Sequence, residues 1–170
     1  MTFPTFPADL LESPSFQLER LRRRTRDEVE AALGQRGLTL REYWVLTCLT
    51  TSHASSQSAL CEVLAIDASD MVRLIDSLEN RQWVKRERDP KDRRRQIVTS
   101  TKKGRNNQKN LLVLVREAED RALDESTSKQ LKHLRKLAQS IIGAPAENTE
   151  NTATTAPAET TATPEENTPA

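Results

Sequence analysis

The chain has 170 residues, 26 Lys and Arg against 25 Asp and Glu, 35% hydrophobic residues and a formal net charge of +1, a length that favours one compact core with appendages over two independent domains. No stretch approaches the roughly 20 apolar residues that cross a bilayer, and Met1-Thr2-Phe3-Pro4 lacks the basic-then-apolar pattern of a leader, so a cytoplasmic protein without membrane contact is expected. Cys48 and Cys61 sit inside apolar periodic segments at no disulfide or metal spacing, which fits a reducing compartment and structural thiols.

The first helix is expected over 14–33, with Ser13 as its cap, Pro14 at the first helical position, Leu18, Leu21, Val29, Ala32 and Leu33 on one broad face, and Gly34 past the end. A second, over 40–51, opens on the capping box Thr39-x-x-Glu42, with Leu38 and Tyr43 at the two positions of a hydrophobic staple. A short helix over 57–64 follows Ser56 and ends only a few residues before the next, a spacing that suits a helix-turn-helix.

Asp67 is placed to cap a helix over 68–81, in which Met71, Leu74, Ile75 and Leu78 recur at helical spacing as the buried stripe. The opposite face carries Ala68, Ser69, Asp70, Val72, Arg73, Asp76 and Ser77, short or hydrogen-bonding side chains plus one arginine, which can enter a groove. Two strand-like runs, 83–88 and 95–100, flank the turn chemistry of Asp89-Pro90 and form a hairpin. Residues 85–95 hold seven bases (Lys85, Arg86, Arg88, Lys91, Arg93, Arg94, Arg95) against three acids.

Helices are expected again over 102–124, capped by Thr101, and over 128–142, where Leu131, Leu134, Leu137, Ala138 and Ile141 make an apolar seam. The helices over 14–33, 102–124 and 128–142 have apolar faces that no small helix-turn-helix module covers, so pairing with a second copy is expected. Residues 144–170 are nearly all Ala, Thr, Pro, Glu and Asn and are expected to be a disordered acidic tail. They hold five acids and no base, which leaves 26 bases against 20 acids in residues 1–143. The basic excess of the folded part, about +6, suits a polyanionic partner.

A helix-turn-helix followed by a basic hairpin has the parts for binding double-stranded DNA: the second helix fits the major groove while flanking cations neutralise phosphates. Here the residues also carry a resemblance. Asp67-Ala68-Ser69-Asp70-Met71-Val72-Arg73-Leu74-Ile75-Asp76-Ser77-Leu78-Glu79, then Asp89-Pro90-Lys91-Asp92-Arg93-Arg94 and Thr101-Lys102-Lys103-Gly104, resemble the recognition helix, the wing and the start of the following helix in the MarR family of bacterial regulators. Only the wing segment is specific as a motif, and the likeness in helix order covers about residues 14–142.

The resemblance implies a mainly α fold with a small β-hairpin wing: a winged helix-turn-helix lobe over 38–100, an N-terminal arm and dimerisation helix over 1–37, C-terminal dimerisation helices over 101–142 and the tail over 143–170. It implies a homodimer on a near-palindromic operator, in the role of a repressor. Candidate DNA contacts are Ser56, Ala68, Ser69, Asp70, Val72, Arg73, Ser77, Arg88, Lys91, Arg93, Arg94 and Arg95, with Asp92 supporting the wing. A small-molecule effector is implied where the dimerisation helices meet the lobe, with Arg22, Arg26, Tyr43, Trp44 and His53 as candidate pocket residues. The chain departs from the family pattern at Ser100 (commonly Leu), Gln82 (commonly Gly) and Ser77 (commonly basic). These changes imply looser wing packing, a left-handed residue without glycine, and one phosphate contact fewer.

No glycine-rich phosphate loop and no Ser/His/Asp arrangement supports an enzyme. Cys48, His53 and Cys61 match no regular zinc spacing, so neither metal nor cofactor is expected. The competing class is an architectural or protein-interaction module that uses the same basic surface without sequence selectivity.

Overall fold

The computed structural model describes residues 6–52, 54–90, 92 and 96–143. The element order is α1 (Ala8–Glu12), α2 (Pro14–Gly34), α3 (Leu40–Thr51), β1 (Ala54–Ser56), α4 (Gln57–Leu64), α5 (Ala68–Asn80), β2 (Val84–Arg88), β3 (Gln96–Ser100), α6 (Lys102–Ala122) and α7 (Ser128–Ile142). The chain divides into two units, residues up to Ser126 and residues from Thr127. His53, Lys91, Arg93, Arg94, Arg95 and the acidic tail lie outside the described residues. No described helix is long and apolar enough to cross a membrane.

Most helix starts follow from one side-chain oxygen. Thr39, Ser56, Asp67 and Thr101 each accept the backbone N–H three residues on, which satisfies a donor that the helix itself leaves orphaned. At α3 the box closes reciprocally: the Glu42 carboxylate accepts the Thr39 N–H at 2.7 Å. Leu38 and Tyr43, at the two positions of the staple, are both buried.

In the first unit one core joins every layer. Val29, Ala32 and Leu33 of α2, Val45, Leu46 and Leu49 of α3, and Leu60 of α4 meet Met71, Ile75 and Leu78 of α5, Val84 and Val98 of the sheet, and Leu111, Val115 and Ala118 of α6. The helices over 14–33 and 102–124, which a small helix-turn-helix module leaves uncovered, cover each other in part. The C-terminal half of α2 lies along α6, and both contribute to this core. What α2 leaves outside is its first half, where Leu18 is 60% exposed and Leu21 38%.

The hairpin gains a third strand. β1 pairs antiparallel with β3 (Ala54 with Thr99, Ser56 with Ile97), giving the order β1-β3-β2, and β2 pairs with β3 from Val84–Ser100 to Arg88–Gln96. Ser56 is at once the last residue of β1 and the cap of α4. Ser100 is buried rather than loose: Arg105 Nη1 donates to its carbonyl at 2.6 Å and lies 3.5 Å from its hydroxyl.

Among the described residues two other than glycine adopt positive φ, and they bracket α5. Ala65 (φ 50°) ends α4 and Gln82 (φ 62°) follows α5. At Gln82 the helix closes with two bonds, Trp83 N–H to the Leu78 carbonyl at 3.0 Å and Gln82 N–H to the Glu79 carbonyl at 2.8 Å. That is the Schellman arrangement, built without glycine.

The second unit is α7, opened by a capping box in which Thr127 and Gln130 exchange bonds. None of its residues is buried, and Leu137 and Ile141 of its apolar seam stand exposed, as does Ile142.

Candidate nucleic-acid interface

The face that α5 turns outward is set by the one it buries. With Met71, Ile75 and Leu78 fully enclosed and Leu74 half-buried, the helical period leaves Ala68, Ser69, Val72, Arg73 and Asp76 exposed. Asp67 organises its first turn: the carboxylate accepts the Ser69 hydroxyl at 2.6 Å and the Asp70 N–H at 2.9 Å, which hold it at a pKa of about 2, below the ordinary 3.8. The Ser69 hydroxyl is thus committed to the cap. Ser56, also expected to contact DNA, spends its hydroxyl oxygen on the Ala59 N–H at 3.2 Å.

Arg73 is the only cation on that face, and its side chain is 75% exposed. Its Nη2 lies 3.2 Å from Asp70 Oδ1, while Asp70 Oδ2 accepts from Arg41 Nη1 of α3 at 2.9 Å. Asp70 therefore joins two guanidiniums from different helices. Ser77 is half-buried, and its hydroxyl donates to Glu42 Oε1, so it turns toward the cap of α3 and away from the outward face.

The base of the hairpin is neutralised by contacts of its own. Arg86 Nη2 and Nη1 bind Asp76 and Glu79 of α5, and its N–H donates to Glu79 at 3.0 Å, which ties β2 to the helix. Lys85 pairs with Glu87, whose carboxyl is held below its usual range by Lys85 and by the Thr99 hydroxyl. Arg88 is exposed at the far end of β2. Asp92 is exposed also.

Between α2, α3 and α5 lies a cleft of about 440 Å³, lined by Arg26 and Glu30, by Arg41 and Glu42, and by Arg73 and Leu74 among others. Of the expected effector residues that are described, only Arg26 lines it, paired with Glu30 at 2.9 Å. Arg22, one turn earlier, pairs with Glu19 at 2.9 Å. Tyr43 belongs to the core instead, where burial pushes its phenol above the usual range, and Trp44 stands 41% exposed outside the cleft. Reading the residues alone missed Arg41 and the second duty of Glu42. Their partners on α5 lie 29 and 35 residues away, and no local spacing signals such pairs.

Burial raises the pKa of the half-buried Cys48 thiol, the opposite of what a reactive thiolate needs.

Residues 38–95 match the model of the MarR family. The HTH-type transcriptional regulator PrsX of Escherichia coli is 33% identical over 87 residues, 50% of this chain and 52% of that protein, so the match spans about half the length of this curated relative. Among solved structures, CouR from Rhodococcus jostii RHA1 bound to p-coumaroyl-CoA superposes with a TM-score of 0.69 at 28% identity, over 82% of this chain and 98% of that one. A MarR-family transcriptional regulator from Rhodococcus sp. RHA1 gives 0.70 at 27%, over 79% and 99%. With the helix-turn-helix, the three-stranded sheet and the flanking helices all in place, the chain is similar, in sequence over residues 38–95 and in fold beyond them, to the MarR family of transcriptional regulators.

Proposed function

We propose that this protein represses transcription as a homodimer that reads a near-palindromic operator with α5 and clamps the flanking phosphates with its wing. The observation that carries the reading is Arg73, an exposed guanidinium on the outward face of a helix whose other face is locked into the core. A guanidinium so placed matches the two acceptors of a guanine edge in the major groove. Ala68 and Val72 beside it are apolar and suit a thymine methyl.

Selection of bound duplexes from random DNA gives the operator and tests the reading directly. On that operator Arg73→Ala costs roughly 1–3 kcal/mol and relaxes preference at one position of each half-site. Arg93→Ala or Arg94→Ala instead weakens binding to most sequences and lowers the salt slope by about one per lost phosphate contact. An Arg73→Ala protein with unchanged affinity and base preference removes α5 as the reading element. Failure to enrich any sequence favours the unselective architectural module.

Exposed apolar side chains on three helices support the dimer, Leu18 and Leu21 on α2, Val113 on α6, and Leu137 and Ile141 on α7. Sedimentation then shows two chains, and truncation after Ser126 yields monomers or aggregates. A small-molecule effector in the cleft completes the proposal. The cleft volume falls in the range of ligand sites, and Arg26 supplies a cation to an anionic ligand. The similarity to CouR makes acyl-coenzyme A thioesters the first compounds to test, with weaker operator binding in their presence as the expected result and no response in Arg26→Ala.

A further inference from the structure

Asp70 stands in the first turn of α5, where the helix dipole favours a negative charge, and its side chain is 32% exposed against 75% for Arg73. The carboxylate is therefore seated at the base of the helix while the guanidinium lies out over the surface. Its second oxygen is held by Arg41 at 2.9 Å, so its position is fixed from α3 as well as from α5.

We propose that Asp70 is a positioning residue that sets DNA selectivity through Arg73, an inference that rests on α5 being the base-reading helix. A lone exposed arginine binds any phosphate, and that contact carries no sequence information. Asp70 changes the competition in two ways. It draws the guanidinium of Arg73 toward its own side through an ion pair at Nη2. It also sets a negative charge 3.2 Å from that guanidinium, which repels an anionic phosphate but not the neutral O6 and N7 of a guanine. Selectivity arises here from weakening the wrong contact rather than from strengthening the right one.

The test uses the full-length protein, the selected operator duplex and a scrambled duplex of equal length, with affinities measured at several salt concentrations and melting temperatures recorded alongside. Asp70→Asn keeps the shape and an acceptor but removes the charge. It is expected to bind scrambled DNA about tenfold more tightly and the operator within about twofold of the unaltered protein. The salt slope on scrambled DNA then steepens by about one. In an Arg73→Ala background the same substitution leaves the slope unchanged. Arg41→Gln, which leaves Asp70 to Arg73 alone, raises the operator-to-scrambled ratio. A ratio and slope unmoved by Asp70→Asn, an equal weakening on both duplexes, or a ratio that falls in Arg41→Gln each overturns the proposal. If the unaltered protein itself fails to distinguish the two duplexes, the base-reading role of α5 falls, and this inference falls with it.

Discussion

The Ser77 hydroxyl of α5 donates to Glu42 of α3, the same carboxylate that closes the capping box with Thr39. One buried acid thus sets the start of α3 and its register against the candidate reading helix. Glu42→Ala is expected to destabilise the fold by about 2–3 kcal/mol, combining a lost cap with unsatisfied buried donors. Ser77→Ala loses about 1 kcal/mol. Urea unfolding of both single variants and the double variant checks the pair: a coupling near zero would show that the Ser77 bond contributes nothing.

Gly104, in the first turn of α6, passes directly over the Trp83 carbonyl. A Cβ there would lie 2.0 Å from that oxygen, a backbone atom that cannot swing aside. Gly104→Ala is expected to cost about 3 kcal/mol, although the same change at an open helical site is favourable by about 1 kcal/mol. It also pushes α6 off the β2 end of the sheet, where the Thr101 N–H donates to the same carbonyl at 2.9 Å. Thermal unfolding decides it, and an unchanged or raised Tm contradicts the packing described.

Gln82 holds a left-handed conformation that costs an ordinary residue about 1–2 kcal/mol, part of which glycine gives back as unfolded-state entropy. Gln82→Gly is therefore expected to stabilise by about 0.5–1 kcal/mol. Lys103 Nζ lies 3.3 Å from the Gln82 amide oxygen on the surface, a contact too exposed to reverse the sign. Denaturant midpoints of the two proteins measure it, and a lower midpoint for the glycine variant would count against the strain.

Asp67 supplies a pH dependence. The Ser69 hydroxyl and then the Asp70 N–H hold its carboxyl at about 2 in the folded protein, against an ordinary 3.8. Because the folded value is the lower one, the stabilisation is complete above about pH 4 and is lost as the pH falls toward 2. Asp67→Asn is expected to flatten stability against pH across that window. Parallel curves for the two proteins between pH 4 and pH 2 would be the contrary result.

Every helix but α1 could be read from the residues because the signals are local. Thr39, Ser56, Asp67, Thr101 and Thr127 each announce a start within three residues of the bond they make, and the apolar period of 71–78 marks the buried face. The left-handed Gln82 was foreseeable from the resemblance, in which glycine is common at that position. Other features were not, because distant parts of the chain impose them. Ala54-Ser55-Ser56 has no β-branched or aromatic residue to mark a strand, and only the edge of β3 makes it one. Likewise Arg41 and Asp70 meet across 29 positions, and Arg86 looked like one more wing cation until its contacts with Asp76 and Glu79 committed it to α5.

The double role of Ser56 has a consequence at the scale of the duplex. Since one residue ends β1 and begins α4, the sheet and the helix pair cannot slide past each other without breaking either the β1–β3 ladder or the cap. If the proposed function holds, the lobe acts as a gauge along the DNA, with the interval between α5 and the sheet held by those hydrogen bonds. Each extra base pair in that interval lengthens it by about 3.4 Å and turns it by roughly a tenth of a helical turn, so the DNA must bend or untwist to meet the gauge.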